Sequence, residues 1–353
     1  MKQIAVISFT KKGAELNKKL CRGLILSDTV LLGFSMEKYM DEKEEKTLDS
    51  FTSIHKLMEE LMKPPAEFEC LSGLVFIGAC GIAVRAIAPY IQNKAKDPAV
   101  AVVDEGGNYV ISLLSGHLGG ANELTKQVAA YIGAVPVITT ATDTRKVFAV
   151  DSFAVKQALY ITDTAKIKVI SGALLNDEKI GIYSEYPVSG QLPAGLGHEN
   201  QSKGICISAT EGLQPFHFTM HLLPKNLIVG MGCKKGVEPE IMYNRLQKIF
   251  SEKGLRMERI CKLCSVDIKK EEPGLLKLAD KLGVDFQTYT VKELQQVSGS
   301  FTASAFVENT IGVDNVCERS AALGSGYGKQ LIAKVSGEGM TLSVYEKEYQ
   351  INF

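Results

Sequence analysis

Short apolar runs alternate with amphipathic stretches along the first third of the chain. Runs rich in β-branched residues predict strands, while apolar residues that recur every three or four positions predict helices. Strands are predicted at 4–8, 29–34 and 74–78, and helices at 13–24 and 53–62. Pro64 and Pro65 end the second helix, because proline cannot continue an α-helix. The alternation is typical of βα units on a largely parallel sheet.

The next segment predicts a hairpin instead of another crossover. Two apolar strands, 100–104 and 109–114, are joined by a Glu-Gly-Gly-Asn sequence that favours a tight antiparallel connection. The sheet should therefore be mixed. A helix is predicted from Ala121 to Gly133, because apolar positions recur there at intervals of three and four. Another strand is predicted at 135–139.

Two further α/β regions are predicted beyond this sheet. In the first, helices are predicted at 151–161 and 165–175, and strands at 180–183, 204–208 and 217–222. In the second, strands are predicted at 227–229, 262–266, 285–290 and 331–335, and helices at 240–250, 273–282, 304–309 and 317–323. We therefore predict an α/β fold with a Rossmann-like N-terminal domain (1–135), a small α/β middle domain (136–222) and a separate α/β C-terminal domain (225–353).

Charge and cysteine content narrow the class of protein. Lys plus Arg equals Asp plus Glu at 40 each, so no net field attracts nucleic acid or an anionic membrane. We expect neither partner, and any anion must bind locally. The first residues lack the apolar core of a signal peptide, and no apolar run reaches membrane-spanning length. Eight cysteines in mostly apolar runs indicate buried thiols, so we expect a cytoplasmic enzyme.

The strongest candidate site is the glycine-rich turn LLSGHLGGAN at 113–122, which joins a predicted strand to a helix. Free N–H groups gather at a helix N-terminus, and glycine lets a carboxylate or an oxyanion approach them. His117, with an ordinary pKa near ~6.5, could transfer a proton beside them. The alternative is a histidine that caps the helix. The binding candidates in this turn are Ser115, Gly116, Gly119, Gly120 and Asn122.

A second glycine-rich turn, GACGIAVR at 78–85, also joins a buried strand to a helix. Arg85 could bind a carboxylate through its planar guanidinium. The glycine spacing differs from the G-x-G-x-x-G of dinucleotide-binding proteins, so a nucleotide-dependent Rossmann enzyme is the weaker interpretation.

Three carboxylates follow predicted strands. Asp104 and Glu105 end the strand at 100–104, and Asp143 follows the strand at 135–139. If these strand ends meet at one edge of the sheet, the carboxylates could share acid and base roles. For Asp104 and Glu105 the alternative is an ordinary solvated turn. Asp143 is the better candidate, because an apolar strand leads directly into it.

A fourth candidate is GMGCKKG at 230–236, where a strand of the last domain ends. Gly232, Lys234 and Lys235 could hold an anion there. Cys261 and Cys264 form a C-x-x-C pair without a second pair or a nearby histidine, so we expect no metal site.

Several motifs together resemble one known family. GACGIAVRAIAP, VVDEGGNYVISLLSGHLGGANELT and VPVITTATD occur in this order in the first half of the chain. GMGCKKG, SVDIKKEEPGLLKLADKLGV, YTVKEL and VENTIGVDNVCERSAAL follow in the last domain. The chain resembles the CbiG family, cobalt-precorrin-5A hydrolases of the anaerobic cobalamin pathway, over nearly all of its length.

The resemblance implies an activity. Such an enzyme opens a δ-lactone on a cobalt-bearing tetrapyrrole and then expels a two-carbon fragment as acetaldehyde. His117 or Asp143 would activate water against the lactone carbonyl, and the N–H groups of Gly116, Gly119 and Gly120 would stabilise the oxyanion.

The resemblance also implies partners. Arg85, Lys234 and Lys235 would pair with the carboxylates at the rim of the tetrapyrrole. Cobalt enters with the substrate, so no protein cofactor is expected, and other cobalamin-pathway enzymes are further candidate partners. The alternative function is a non-catalytic corrinoid carrier of the same pathway, which would bind the tetrapyrrole without releasing acetaldehyde.

Overall fold

The computed structural model describes residues 2–40, 47–63, 71–93, 96–145, 147–198 and 201–353. It divides into two compact units, Met1–Ser152 and Phe153–Phe353. The predicted helix stops at Pro64 and Pro65 lie outside the described residues. The domain boundaries predicted at 135/136 and 222/225 stay predictions.

A mixed sheet forms the centre of the first unit. Its strands are β1 (Lys2–Ser8), β2 (Thr29–Met36), β3 (Asp49–Phe51), β4 (Gly73–Ile77), β5 (Ala99–Val103), β6 (Tyr109–Leu114) and β7 (Val135–Val137). They lie in the order β3-β2-β1-β4-β5-β6-β7. Only β5 and β6 pair in antiparallel fashion in the part of the sheet that is described, and the other neighbours are parallel. The predicted hairpin and the mostly parallel sheet are confirmed.

Helices cover both faces of this sheet. They are α1 (Lys11–Gly23), α2 (Ile54–Met62), α3 (Cys80–Ile87) and α4 (Ala121–Ile132). Two short helices follow β7, α5 (Ala141–Thr144) and α6 (Val150–Lys156), and α6 runs past the end of the unit. One face packs with Leu20 of α1 and Val128 of α4, and the other packs with Met58 of α2 and Ala83 of α3. The central strands read as continuous apolar runs because both of their faces are buried.

The reversal at β6 determines which strand ends meet. Val103 pairs with Val110, and Val100 pairs with Leu114. Since β7 runs parallel to β6, the segments that follow β6 and β7 leave the sheet at the same edge. The segments that follow β4 and β5 leave it at the opposite edge. A five-residue strand at ~3.3 Å per residue separates the two edges by about 17 Å.

The second unit contains two larger sheets. The first, in the order β11-β9-β12-β13-β8, has the strands β8 (Leu159–Ile161), β9 (Ile180–Ser184), β11 (Leu196–Gly197), β12 (Lys203–Ile207) and β13 (Phe218–Pro224), with helix α7 (Lys166–Leu175). The other, in the order β16-β15-β14-β18-β17, has the strands β14 (Leu227–Cys233), β15 (Ile260–Val266), β16 (Asp285–Tyr289), β17 (Lys329–Gly337) and β18 (Met340–Glu346). Its helices are α8 (Pro239–Glu252), α9 (Pro273–Leu282), α10 (Val291–Gln296), α11 (Ala305–Ile311) and α12 (Cys317–Gly324).

The helix predicted at 151–161 is wrong in its second half. Helix α6 ends at Lys156, and Leu159–Ile161 forms strand β8, which pairs antiparallel with β13. Ile161 lies opposite Leu222 in this ladder. Pairing with a strand more than 60 residues later in the chain decides the conformation here, and the local pattern of apolar residues does not show it.

A buried arginine connects the two sheets of the second unit. Arg259, whose side chain is 3% exposed, donates to Asn226 Oδ1 at 2.8 Å and to Glu346 Oε1 at 2.6 Å. It also donates to the Tyr186 hydroxyl at 3.2 Å. The C-terminal strand β19 (Ile351–Asn352) pairs with β10 (Val188–Ser189), and the two form a separate two-stranded sheet.

Candidate active site

The turn after β6 has a tightly determined backbone. Ser115 adopts a left-handed φ of 57°, although it is not glycine, and its hydroxyl is buried. A Cβ at Gly119 would lie 2.4 Å from Ser115 Cβ, and a Cβ at Gly116 would lie 2.7 Å from Asn122 Oδ1. Glycine at both positions therefore lets the turn fold back on itself and brings the first turn of α4 against it. This fold places His117 between β6 and the start of α4.

His117 lies between two carboxylates. Its Nε2 is 2.8 Å from Asp143 Oδ2, and its Nδ1 is 3.1 Å from Asp151 Oδ2. Asp143 lies on α5, directly after β7, and Asp151 lies at the start of α6. Because β6 and β7 end at the same edge of the sheet, the turn and α5 meet there. We call these three residues the acid–base cluster.

Asn122 fixes the position of Asp143. Its Nδ2 donates to Asp143 Oδ2 at 2.9 Å and lies 3.3 Å from Thr140 Oγ1. Its Oδ1 accepts from Ser112 Oγ at 2.6 Å, which settles the orientation of the amide. Asn122 is 5% exposed. The sequence predicts that Asn122 binds substrate. In the structure its buried amide donates to Asp143 Oδ2 and so positions the carboxylate.

The three members of the cluster differ in exposure. The side chains of His117 and Asp151 are 12% and 7% exposed, whereas that of Asp143 is 31% exposed. Asp143 Oδ2 is held by His117 and Asn122, and its other oxygen, Oδ1, accepts no hydrogen bond from the described residues. Asp143 is therefore the member that a water molecule or a substrate can reach.

The carboxylates raise the pKa of His117 above its ordinary value. The hydrogen bond to Asp151 contributes most, burial opposes it, and the negative charges of Asp151 and Asp143 add to the rise. Since both ring nitrogens face carboxylate oxygens, the doubly protonated ring can donate to both of them. The two carboxylates favour the protonated ring, and a partly exposed carboxylate lies beside it, an arrangement suited to moving a proton.

The backbone N–H groups of the turn are only partly available. The N–H of Gly120 donates to the His117 carbonyl oxygen at 2.9 Å, so the prediction that Gly120 stabilises an oxyanion is wrong. That bond is part of the tight turn, in which Gly120 adopts a φ of 86° and caps α4. The N–H groups of Gly116 and Gly119 make no hydrogen bond within the described parts of the chain. These two N–H groups are therefore the candidates for donation to a ligand.

The structure separates two predicted acids from the acid–base cluster. Asp104 and Glu105 follow β5, at the edge of the sheet opposite to the turn that carries His117. The Asp104 carboxylate accepts from the N–H groups of Gly106, Asn108 and Tyr109, which lowers its pKa and closes the hairpin. The prediction that these acids converge with Asp143 is wrong, because an antiparallel partner strand ends at the other edge.

Arg85 also lies away from the cluster. It belongs to α3, which follows β4, so it shares the edge of Asp104. Its guanidinium is exposed and lies 3.5 Å from the Gly81 carbonyl oxygen of its own helix. Its role in substrate binding stays a prediction. Gly232, Lys234 and Lys235 belong to the second unit, where they line a cavity described below.

Sequence reasoning missed three members of the site. Asp151 was predicted only as the start of a helix, and nothing in its neighbourhood indicates a partner 34 residues earlier. Ser112 and Thr140 were likewise without a predicted role. One relation could have linked Thr140 and Asp143 to His117. These residues follow two neighbouring strands, β7 and β6, and because the strands are parallel their ends lie at the same edge of the sheet.

The described residues contain no group of three or more His, Cys, Asp or Glu side chains with the geometry of a metal site. Within the same residues, no helix is long and apolar enough to cross a membrane.

The fold and the cluster define an α/β protein with a buried acid–base site at the edge of a mixed sheet. Comparison with known families is more specific. The family model described as Cobalamin synthesis G N-terminal matches residues 65–143, the Cobalamin biosynthesis central region matches 148–224, and the Cobalamin synthesis G C-terminus matches 227–345.

Curated relatives agree with these matches. The chain is 32% identical to a cobalt-precorrin-5A hydrolase of Priestia megaterium, with 96% of this chain and 94% of that protein covered. It is 34% identical to a cobalt-precorrin-5A hydrolase of Salmonella typhimurium, with 78% and 82% covered. The chain belongs to the CbiG family, as its motifs predicted.

A solved structure of a cobalamin biosynthesis protein G homolog from Sulfolobus solfataricus also matches. It is 24% identical, covers 98% of this chain and 97% of its own, and has a TM-score of 0.40.

Proposed function

We propose that this protein hydrolyses cobalt-precorrin-5A in the anaerobic route to cobalamin, opening the δ-lactone and releasing acetaldehyde to give cobalt-precorrin-5B. Two curated relatives that span most of the chain are named for this hydrolysis. The observation that carries the proposal within the structure is the acid–base cluster, in which the partly exposed Asp143 lies 2.8 Å from the buried His117.

Lactone opening needs a base for water and a stabiliser for the developing oxyanion. Asp143 Oδ1 accepts a proton from water as the water oxygen attacks the lactone carbonyl carbon. The N–H groups of Gly116 and Gly119 donate to the carbonyl oxygen as it becomes negative. The ester C–O bond then breaks and its oxygen takes up a proton, which yields a carboxylate and a free hydroxyl.

His117 assists as a positioning and proton-sharing group. Asp151 holds the ring through Nδ1, and the ring presents Nε2–H to Asp143 Oδ2. The hydrogen bond from the ring holds Asp143 Oδ2, which leaves Oδ1 of the same carboxylate to face the water. The ring can also pass a proton to Asp143 when the leaving oxygen needs one. Asp143 is thus the group that meets the substrate, and His117 acts through it.

The acetaldehyde is released in a second step. A base removes the proton from the new hydroxyl, the C–C bond to the macrocycle breaks, and the carbonyl group of acetaldehyde forms. The electron pair moves into the cobalt-bearing macrocycle, which accepts it, so we propose that the protein uses no cofactor of its own. Asp143 can serve as the base once more, since the hydroxyl arises where the lactone was.

We also propose that the reaction takes place in the cytoplasm. The described cysteines are free thiols, which fits a reducing compartment. Other enzymes of the cobalamin pathway are the proposed sources of the substrate and acceptors of the product.

The direct test is to mix purified protein with cobalt-precorrin-5A and trap acetaldehyde. The proposal expects stoichiometric acetaldehyde and a ring-opened corrinoid from the wild type. Tight binding of the corrinoid without acetaldehyde would instead assign the protein as a carrier. A catalytically silent wild type with bound dinucleotide would favour the nucleotide-dependent alternative.

A further inference from the structure

The second unit contains a cavity of about 650 Å³ that the acid–base cluster does not use. The end of β14, helix α11 and the connection between β17 and β18 form its walls. Its volume lies within the ~300–1,000 Å³ that is typical of small-molecule sites. All of its lining residues belong to the second unit.

The charged lining of the cavity is cationic. Lys234, Lys235, Lys269 and Lys334 line it, and no Asp or Glu does so among the described residues. Lys269 pairs with Glu272 at 2.8 Å, whereas the other three lysines form no ion pair with the described residues. In a chain whose charges balance at 40 each, this is a local excess of positive charge. Such an excess attracts a ligand with more than one negative charge.

Two buried carboxylates outside the lining build the frame of the cavity, and one of them, Glu272, also pairs with Lys269. Glu272, which is 7% exposed, accepts from the Gly236 N–H at 2.9 Å and so fixes the loop after β14. Glu318, which is 1% exposed, accepts from the Thr302 N–H at 2.6 Å and from the Lys334 N–H at 2.8 Å. The backbone of Lys334 is thus held by Glu318, and Glu272 fixes the loop that carries Lys234 and Lys235, whose side chains are exposed.

The remaining lining is largely apolar. Val307 and Ile311 of α11 face the cavity together with Val316 and Met340. Apolar walls with amines around them fit a ligand that has an apolar body and several acidic groups at its rim, because each part then meets its complement.

We propose that this cavity binds a polycarboxylate macrocycle through its lysines. The inference rests on the proposed function, which supplies such a molecule in the carboxylate-rich tetrapyrrole substrate. Lys234 and Lys334 pair with carboxylates at the rim, and the apolar wall contacts the ring. The C-terminal region is thus a binding element for the macrocycle, separate from the acid–base cluster of the first unit.

Uroporphyrin, a stable porphyrin with a carboxylate at every side chain, is a suitable probe, with binding followed by quenching of its fluorescence. The full-length double variant Lys234→Gln/Lys334→Gln should raise the Kd about tenfold and weaken the dependence of the Kd on salt. The matched control Lys248→Gln/Lys253→Gln removes the same charge from exposed positions on and just after α8, and should keep the wild-type Kd. Equal Kd values for the two double variants would overturn the site, as would displacement of the probe by millimolar inorganic phosphate.

A second measurement does not depend on variants. Reductive methylation of the wild-type protein, read by mass spectrometry, should be slowed by uroporphyrin at Lys234 and Lys334 and unchanged at Lys248 and Lys253. Uniform protection of all four would contradict the proposal. The two proposals can fail independently. If the wild type releases no acetaldehyde while uroporphyrin still slows methylation of these lysines, only the proposed hydrolase activity is refuted. If turnover is normal while uroporphyrin binding does not depend on the lysines, only the proposed binding site is refuted.

Discussion

At the scale of single residues, the site depends on three ionisable side chains that differ in exposure, His117, Asp143 and Asp151. Burial makes His117 and Asp151 poor partners for substrate, and exposure makes Asp143 a good one. The sequence could nominate His117 and Asp143, because each follows an apolar strand. It could not choose between them, since the choice depends on exposure and on Asp151.

The pH dependence of stability tests the charge on His117. Its pKa is raised in the folded protein, so its contribution is fully present below the unfolded value of ~6.5 and is lost as the pH rises through the folded value. The difference in free energy of unfolding between wild type and His117→Gln should therefore shrink as the pH rises from 6 to 9. Urea unfolding at a series of pH values measures it. A difference that grows with pH would mean that the ring is held neutral.

At the scale of elements, the turn between β6 and α4 acts as a unit with the first residues of the helix. Gly116 leaves room for the Asn122 side chain, which in turn holds Asp143. The glycines of this motif look in sequence like a ligand-binding loop. In the structure, Gly116 and Gly119 also serve the packing of the turn itself.

Gly116→Ala should therefore act through Asn122. A methyl group would lie 2.7 Å from Asn122 Oδ1 and displace the amide, so we expect kcat to fall about tenfold while KM changes little. The control is Gly172→Ala in α7, where a Cβ meets nothing within 4 Å. That change should raise the free energy of unfolding by about 0.5–1 kcal/mol and leave kcat alone. Equal activity of the two variants would refute the positioning role.

Most strands and helices are predictable from the sequence, and the predictions that are wrong have a common cause. The hairpin, the parallel strands and most helices were correct because they follow from local periodicity. Strand β8 and the opposite placement of Asp104 depend on which distant strands pair and in which direction. The sequence predicts the hairpin, and an antiparallel hairpin implies that the end of its first strand, Asp104, lies at the edge opposite to the end of its second strand.

At the scale of the whole molecule, each unit carries chemistry of a different kind. The first unit holds the acid–base cluster, and the second holds the lysine-lined cavity and the Arg259 network. No local pattern marks Arg259, since its partners Asn226 and Glu346 come from distant strand ends.

We expect the hydrogen bonds of Arg259 to hold the two larger sheets of the second unit together. Arg259→Met leaves Glu346 beside a buried site without its partner, and we expect a loss of about 3–5 kcal/mol. The double variant Arg259→Met/Glu346→Gln should recover part of this loss, because it removes the unpaired charge as well. Thermal or urea unfolding of the full chain measures both. Additive losses would show that the two side chains do not interact.

The central claim is that Asp143 is the base of a lactone hydrolase. The most direct measurement is kcat/KM for acetaldehyde release from cobalt-precorrin-5A by Asp143→Asn, compared with Glu105→Gln, the same loss of a carboxylate at the opposite edge of the sheet. We predict a fall of about 10²–10⁴-fold for Asp143→Asn and a value near that of the wild type for Glu105→Gln. Undiminished acetaldehyde release by Asp143→Asn would contradict the account.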